Sequence, residues 1–109
     1  MKKLSILATL ACSAALMVSG PASAGNPAAG KEKSKTCAAC HGADGNSASA
    51  DFPKLAGQYY DYLVKSLQGY KAGTRKNPIM APMSANLSQR DIEDLAAYYS
   101  SQQGLEIFR

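Results

Sequence analysis

Cys37-Ala38-Ala39-Cys40-His41 is the stretch that decides how this 109-residue chain folds. Two cysteines separated by two residues and followed directly by histidine form an attachment site for c-type haem. Each thiol adds across one vinyl group of the porphyrin, and two intervening residues let both sulfurs reach the same macrocycle edge. The adjacent imidazole then projects at the iron as the proximal axial ligand. Cys37 and Cys40 are therefore the expected thioethers and His41 the expected iron ligand. Three other readings compete. A zinc half-site needs two more ligands, and beyond residue 24 the chain has no other Cys and no other His. A thioredoxin-like pair needs a βαβ context, which the helical, Gly-rich surroundings do not offer. A disulfide between residues three apart leaves His41 without a role.

Upstream, residues 1–24 read as a secretory signal. Lys2 and Lys3 give a positive start, and Leu4 to Val18 carry no charge. Gly20-Pro21 breaks the run, and Ala22-Ser23-Ala24 supplies the small residues a signal peptidase reads. Cleavage is expected between Ala24 and Gly25. The uncharged run is 15 residues long, short of the roughly 20 needed for a spanning helix. Lipidation at Cys12 is disfavoured because Thr9-Leu10-Ala11 lacks Leu at the usual position, and Cys12 reads as one more apolar residue.

Removing this segment changes what the composition implies. The whole chain carries 12 basic and 8 acidic residues, for a net charge of +4. From Gly25 to Arg109, 85 residues remain, with ten basic against eight acidic and a net charge of +2. No basic cluster is denser than Lys31, Lys33 and Lys35, so nucleic acid is not an expected partner. A chain this short buries a smaller fraction of its surface than a larger domain, so a covalently held porphyrin supplies much of its apolar interior.

The remaining segments read as all-α with two functional loops. Asn26-Pro27 is a helix start, with Asn as cap and Pro at the first helical position, and a short helix is expected from about Pro27 to Thr36, ending into a haem-binding loop. His41 to Gly57 reads as loop. Tyr60, Leu63, Val64 and Leu67 follow the i, i+3, i+4, i+7 spacing of an amphipathic helix, loosened at its end by Gly69 and Gly73. Arg75 to Asn86 reads as a second loop, holding Pro78, Pro82, Met80 and Met83. Ser88-Gln89-Arg90-Asp91 resembles a capping box. Ile92, Leu95, Ala96 and Tyr99 share one face of a helix running to about Gln103, with Gly104 as its stop.

A low-spin electron-transfer haem needs a sixth ligand, and a thioether raises its potential relative to a second imidazole. With one His in the chain, bis-imidazole ligation within it is impossible. Met80 and Met83 are the thioethers left. Methionines in small domains usually fill core gaps, but a Pro-bounded loop position points to one of them as the ligand.

On these residues the chain resembles the class I cytochromes c, most closely the monohaem cytochromes of the c-553 and c4 type, over the whole of residues 25–109. The resemblance rests on Gly30, on Cys37-Ala38-Ala39-Cys40-His41-Gly42, on Asp44-Gly45-Asn46, and on Pro53-Lys54-Leu55-Ala56-Gly57. Ile79-Met80-Ala81-Pro82-Met83 to Leu87-Ser88 and Asp94-Leu95-Ala96-Ala97-Tyr98 complete it. It implies a fold of three to four helices wrapped round one haem, with the N- and C-terminal helices crossing and Gly30 allowing their close approach. It implies that the Pro53 carbonyl accepts the proximal His Nδ1–H bond, which orients the ring and raises its basicity, and that Leu55 packs on the haem. Aligned back from Asn86-Leu87-Ser88, Met80 matches the distal ligand position of the c4 type, while shorter-looped relatives align with Met83. The c4 proteins carry two such domains. This sequence has one attachment motif and reads as a single-haem protein, open to self-association as a homodimer.

The expected function is periplasmic one-electron transport between redox protein donors and acceptors, without enzyme activity and without a membrane anchor in the mature form. Asp44, Asp51, Asp61 and the Asp91/Glu93/Asp94 group read as loop or solvated helix charges. Tyr59, Tyr60, Tyr62, Tyr70, Tyr98 and Tyr99 read as core or haem-edge packing. Two alternatives stand beside this. One is a ligand-binding haem protein in which a loop-borne Met is displaced. The other is a haem-bearing subunit through which electrons enter a larger dehydrogenase or oxidase.

Overall fold

The computed structural model describes residues 25–107, and the expected signal segment with Cys12 lies outside them. Within that range the chain forms five helical segments and no strand: α1 Pro27–Lys33, α2 Lys35–His41, α3 Tyr60–Ala72, α4 Met80–Ser84 and α5 Gln89–Ser101. The absence of any strand removes the βαβ context that a thioredoxin-like reading requires.

Asn26 starts α1 as its sequence announces. Its side chain accepts from the backbone N–H groups of Ala28 and Ala29, and Pro27 needs no such partner. The helix does not run unbroken to Thr36. Ser34 interrupts it: its hydroxyl donates to the Lys31 carbonyl at 2.7 Å, competing for an acceptor that the helix ladder uses. The ladder restarts at once, and the Ser34 carbonyl accepts from Cys37 and Ala38 at 2.9 Å each. The cysteine motif therefore lies on a helix, α2, and not in a loop. Gly42, at φ 85°, stops it immediately after His41.

α5 is the centre of the fold. Ser88 and Asp91 exchange both bonds of a capping box: Asp91 N–H to Ser88 Oγ at 3.0 Å, and Ser88 N–H to the Asp91 carboxylate at 2.9 Å. The expected face is buried, with Ile92 and Leu95 each 1% exposed and Ala96 and Tyr99 beside them. One side of α5 meets α1, the other meets α3. At the α1 contact Gly30 is buried, and a Cβ there would lie 1.9 Å from the Asp94 carbonyl oxygen. The same junction is tied by Asp94, whose carboxylate accepts from Asn26 N–H at 2.7 Å and Lys33 Nζ at 2.6 Å.

α3 continues past Gly69 to Ala72 and ends at Gly73 in the left-handed conformation, φ 81°. The expected loop from Arg75 to Asn86 contains a further single-turn helix, α4. Its first turn is organised by Asn77, whose side chain accepts from the N–H groups of Ile79 and Met80 at 2.9 Å each. Met80 and Met83 thus sit on a helix that leans on α3.

Candidate functional site

Between α2 and the α3–α4 pair lies a cavity of about 310 Å³, with α5 closing its inner side, within the range of small-molecule and cofactor pockets. Every site residue expected from the sequence borders it: Cys37, Cys40 and His41 from α2, Pro53 and Leu55 from the following connection, and Met80 and Met83 from α4. Apolar side chains of α3 and α5, including Leu63, Leu67 and Leu95, make up much of the rest.

Helix geometry explains why α2 supplies three groups at once. Residues three apart on a helix lie on the same side, one turn from each other, so Cys37 and Cys40 open into one space. Both are unpaired and half-buried. Burial pushes the Cys37 thiol above its ordinary pKa. Among the described residues no three of His, Cys, Asp and Glu form a group able to hold a metal ion, so the zinc reading gains no further ligands.

His41 is 6% exposed. Its Nδ1 lies 2.9 Å from the Pro53 carbonyl oxygen, a partner that can only accept. The proton is therefore on Nδ1, leaving Nε2 as the ring nitrogen with a free lone pair. Phe52 meets the imidazole edge-on with centroids 6.3 Å apart. Leu55 is held by its own backbone, whose N–H donates to the Gly45 carbonyl at 2.8 Å. The Asp44-Gly45-Asn46 turn is braced in turn: the Asp44 carboxylate accepts twice from Asn46, and Asn46 Nδ2 donates to the Gln103 carbonyl.

Across the cavity the two methionines differ. Met80 is half-buried, whereas Met83 is 43% exposed. Two hydroxyls on the cavity wall, Ser84 Oγ and Tyr99 OH, are buried with no hydrogen-bond partner in good geometry among the described residues. Such orphans are uncommon in native interiors. Burial pushes the Tyr99 hydroxyl pKa far up, with Cys37 adding to the effect. Neither hydroxyl stood out in the sequence, because an orphan is defined by tertiary surroundings. Arg75, also on the wall, escaped notice for the same reason. Its one sequence signal is that residues 62–90 hold five basic residues and no acidic one.

The donor set is thus two alkylatable thiols, an imidazole with a defined free nitrogen, and a thioether, around a mainly apolar space. Sulfur and imidazole donors of this kind suit a tethered haem iron, and the orphan hydroxyls are consistent with a cavity whose polar partners come from a bound group.

The comparisons with known proteins agree. The cytochrome c family model matches residues 27–103. Cytochrome c4 of Azotobacter vinelandii is 51% identical over 88 residues, covering 72% of this chain and 42% of the relative. Cytochrome c-554(548) of Halomonas halodenitrificans is 48% identical over 83 residues, 73% of this chain and all of that protein. A thiosulfate dehydrogenase electron acceptor of Stutzerimonas stutzeri is 45% identical over 73 residues, 66% of this chain and 32% of the relative. Among solved structures, reduced recombinant cytochrome c4 from Pseudomonas stutzeri superposes with a TM-score of 0.72 at 49% identity, over 75% of this chain and 48% of that one. The chain spans less than half the length of the c4 relatives it matches. With the all-helical fold, the α1–α5 contact at Gly30 and the attachment motif, these matches show that the chain belongs to the cytochrome c family, of class I, whose cofactor is covalently bound haem c.

Proposed function

We propose that this chain is an exported one-electron carrier, cleaved after Ala24, that holds one haem c through Cys37 and Cys40, with His41 and Met80 as axial ligands. Bound there, the haem would supply an iron able to alternate between ferric and ferrous states, and His41 and Met80 would hold it. The observation that carries the reading is the arrangement around one cavity of the α2 thiols and imidazole on one wall and the α4 thioether on another.

The chain's own groups do the positioning. The Pro53 carbonyl fixes the His41 ring and its tautomer. Asn77 accepts from the N–H groups of Ile79 and Met80 and so ties down the turn that leads into α4. Leu63, Leu67 and Leu95 exclude water from the site, which favours the less charged state of a buried redox centre. Met80 is favoured over Met83 by its greater burial. Its place on a helical turn packed on α3 also weighs against the displaceable-ligand alternative, which relied on a free loop. The test compares visible spectra and potentials of Met80→Ala and Met83→Ala. Met80→Ala is expected to abolish the long-wavelength band of ferric Met–iron coordination and lower the potential, and Met83→Ala to keep both. The reverse pattern refutes the ligand assignment.

Periplasmic localisation is supported by the signal-like segment at residues 1–24. Separately, no helix among the described residues is long and apolar enough to cross a membrane. A second reading, as the electron-accepting component of a larger dehydrogenase, is favoured by the relative named as a thiosulfate dehydrogenase electron acceptor. Co-migration of the native protein with such a partner supports that reading, and migration alone supports a free shuttle.

A further inference from the structure

The segment that carries Met80 and Met83 is tied down at both of its ends. At its start, Arg75 N–H donates to the Gly69 carbonyl of α3 at 3.1 Å, and the Asn77 side chain accepts from the N–H groups of Ile79 and Met80. At its far end, where α4 gives way to α5, two α3 side chains reach across. Lys71 Nζ donates to the Leu87 carbonyl, and Gln68 Nε2 donates to the Gln89 side-chain carbonyl at 3.0 Å. Residues 68 and 71 are three apart, one turn from each other on the same side of α3, so both bonds grip one junction.

The Leu87 carbonyl has no donor from the α5 ladder, which begins one residue later, where the Ser88 carbonyl accepts from Ile92 at 3.0 Å. Leu87 N–H donates to the carbonyl of Ser84, the last residue of α4, at 3.1 Å. Through its own N–H and C=O, Leu87 therefore links α4 to Lys71. Its side chain is half-buried against the core and borders the cavity. Lys71 takes part in none of the ion pairs among the described residues, which belong to Lys33 and Lys35. No acidic residue occurs between Asp61 and Asp91 to draw its ammonium away.

We infer that Lys71 is a positioning residue for the axial thioether: by holding the Leu87 carbonyl it closes the α4 segment over the cavity and keeps a methionine sulfur on the iron. This rests on the haem reading above, with a methionine of α4 as axial ligand, and it holds whether that residue is Met80 or Met83. α3 itself lines the cavity through Leu63 and Leu67, so a bond from α3 to the end of the segment sets α4 against a wall of the site. A sulfur displaced by another ligand carries α4 outward, and the Lys71 bond is lost with it. The bond therefore stabilises the Met-ligated state alone. A charged donor makes it the stronger of the two ties, since Gln68 and Gln89 join neutral groups.

The test is an imidazole titration of purified ferric holoprotein, followed by loss of the long-wavelength Met–iron band, with urea denaturation of the same samples. Lys71→Met keeps the aliphatic stem and removes the donor. It is expected to bind imidazole about 2- to 13-fold more tightly than wild type, the range that one net hydrogen bond supplies. Lys71→Arg keeps a charged donor and is expected to recover most of the wild-type affinity. Lys65 is an exposed lysine of the same helix that makes neither of the junction's bonds. Lys65→Met removes the same charge and is expected to match wild type.

Wild-type imidazole affinity in haem-bearing Lys71→Met overturns the inference, and a lowered urea midpoint beside it assigns Lys71 to fold stability alone. Equal tightening in Lys65→Met and Lys71→Met overturns it as a general charge effect. Should Lys71→Met yield no holoprotein, Lys71→Gln decides: its amide is uncharged and its stem one bond shorter, and wild-type affinity there overturns the inference. Wild-type ferric holoprotein that lacks the Met–iron band refutes the axial-methionine reading itself, and this one with it.

Discussion

Replacing Gly30 by alanine tests the packing on which the whole fold turns. The new Cβ would meet the Asp94 carbonyl oxygen at 1.9 Å, its carbon at 2.6 Å and Tyr98 Cβ at 2.8 Å, where ordinary contact begins at 3.4 Å. Two of these atoms are backbone in the middle of α5, so no side chain can swing aside. α1 must withdraw by about 1.5 Å, the difference between the first contact and the ordinary limit. Overpacking of this kind costs about 1–3 kcal/mol. The withdrawal also stretches the bond from Asn26 N–H to the Asp94 carboxylate, and a buried acceptor left short of a partner costs about 1–3 kcal/mol more. Against this, alanine favours the helix over glycine by about 1 kcal/mol. The net expectation is a loss of about 1–5 kcal/mol, with a midpoint of about 3. In a domain of this size the midpoint loss lowers the melting temperature by about 12–24 °C. Thermal and urea denaturation of holoprotein, followed by circular dichroism, reads it directly. An unchanged or higher midpoint in Gly30→Ala would mean that helix propensity outweighs the contact, and that α1 and α5 do not meet at this residue.

Two further outcomes concern stability. Asp91 is lowered to about 2 by the Ser88 backbone bond and then by Lys33, against an unfolded value near 3.9. Its contribution is therefore complete above about pH 4 and disappears as the pH falls to about 2. Asp91 sits at the exposed end of α5, so solvent screening keeps its contribution to about 1 kcal/mol. Asp91→Asn should have a shallower acid limb in that window, reduced and not abolished because Asp94 is also lowered, and identical limbs would contradict the cap geometry. Leu95→Ala removes a side chain that is 1% exposed and borders the cavity. It should cost about 2–5 kcal/mol in denaturant titrations, and a loss below 1 kcal/mol would show that α5 does not pack on the site as described.

What could be read from the sequence depended on how local its cause was. The α5 boundary was legible because Ser88 and Asp91 bond within one turn, and its buried face because Ile92, Leu95, Ala96 and Tyr99 repeat at helical spacing. The attachment motif was legible as chemistry but misread as loop. The glycine beside it is the stop of a helix that Ala38 and Ala39 favour. α4 escaped because a single turn has no period to detect. Asn77-Pro78 nevertheless repeats the start signal of Asn26-Pro27, and Pro82 falls in the first turn, where no N–H is needed. The roles of Ser84, Tyr99 and Arg75 depend on neighbours brought together by folding. Arg75 meets Tyr62, Ser66 and Tyr70 only because α3 ends at Gly73 and turns the chain back.

The most direct test of the central claim is the intact mass of the purified protein, with a pyridine haemochrome spectrum of the same sample. The account predicts the mass of residues 25–109 plus one haem, and a spectrum of haem held through two thioethers. A protein recovered with Cys37 and Cys40 as unmodified thiols, or joined to each other, would contradict it.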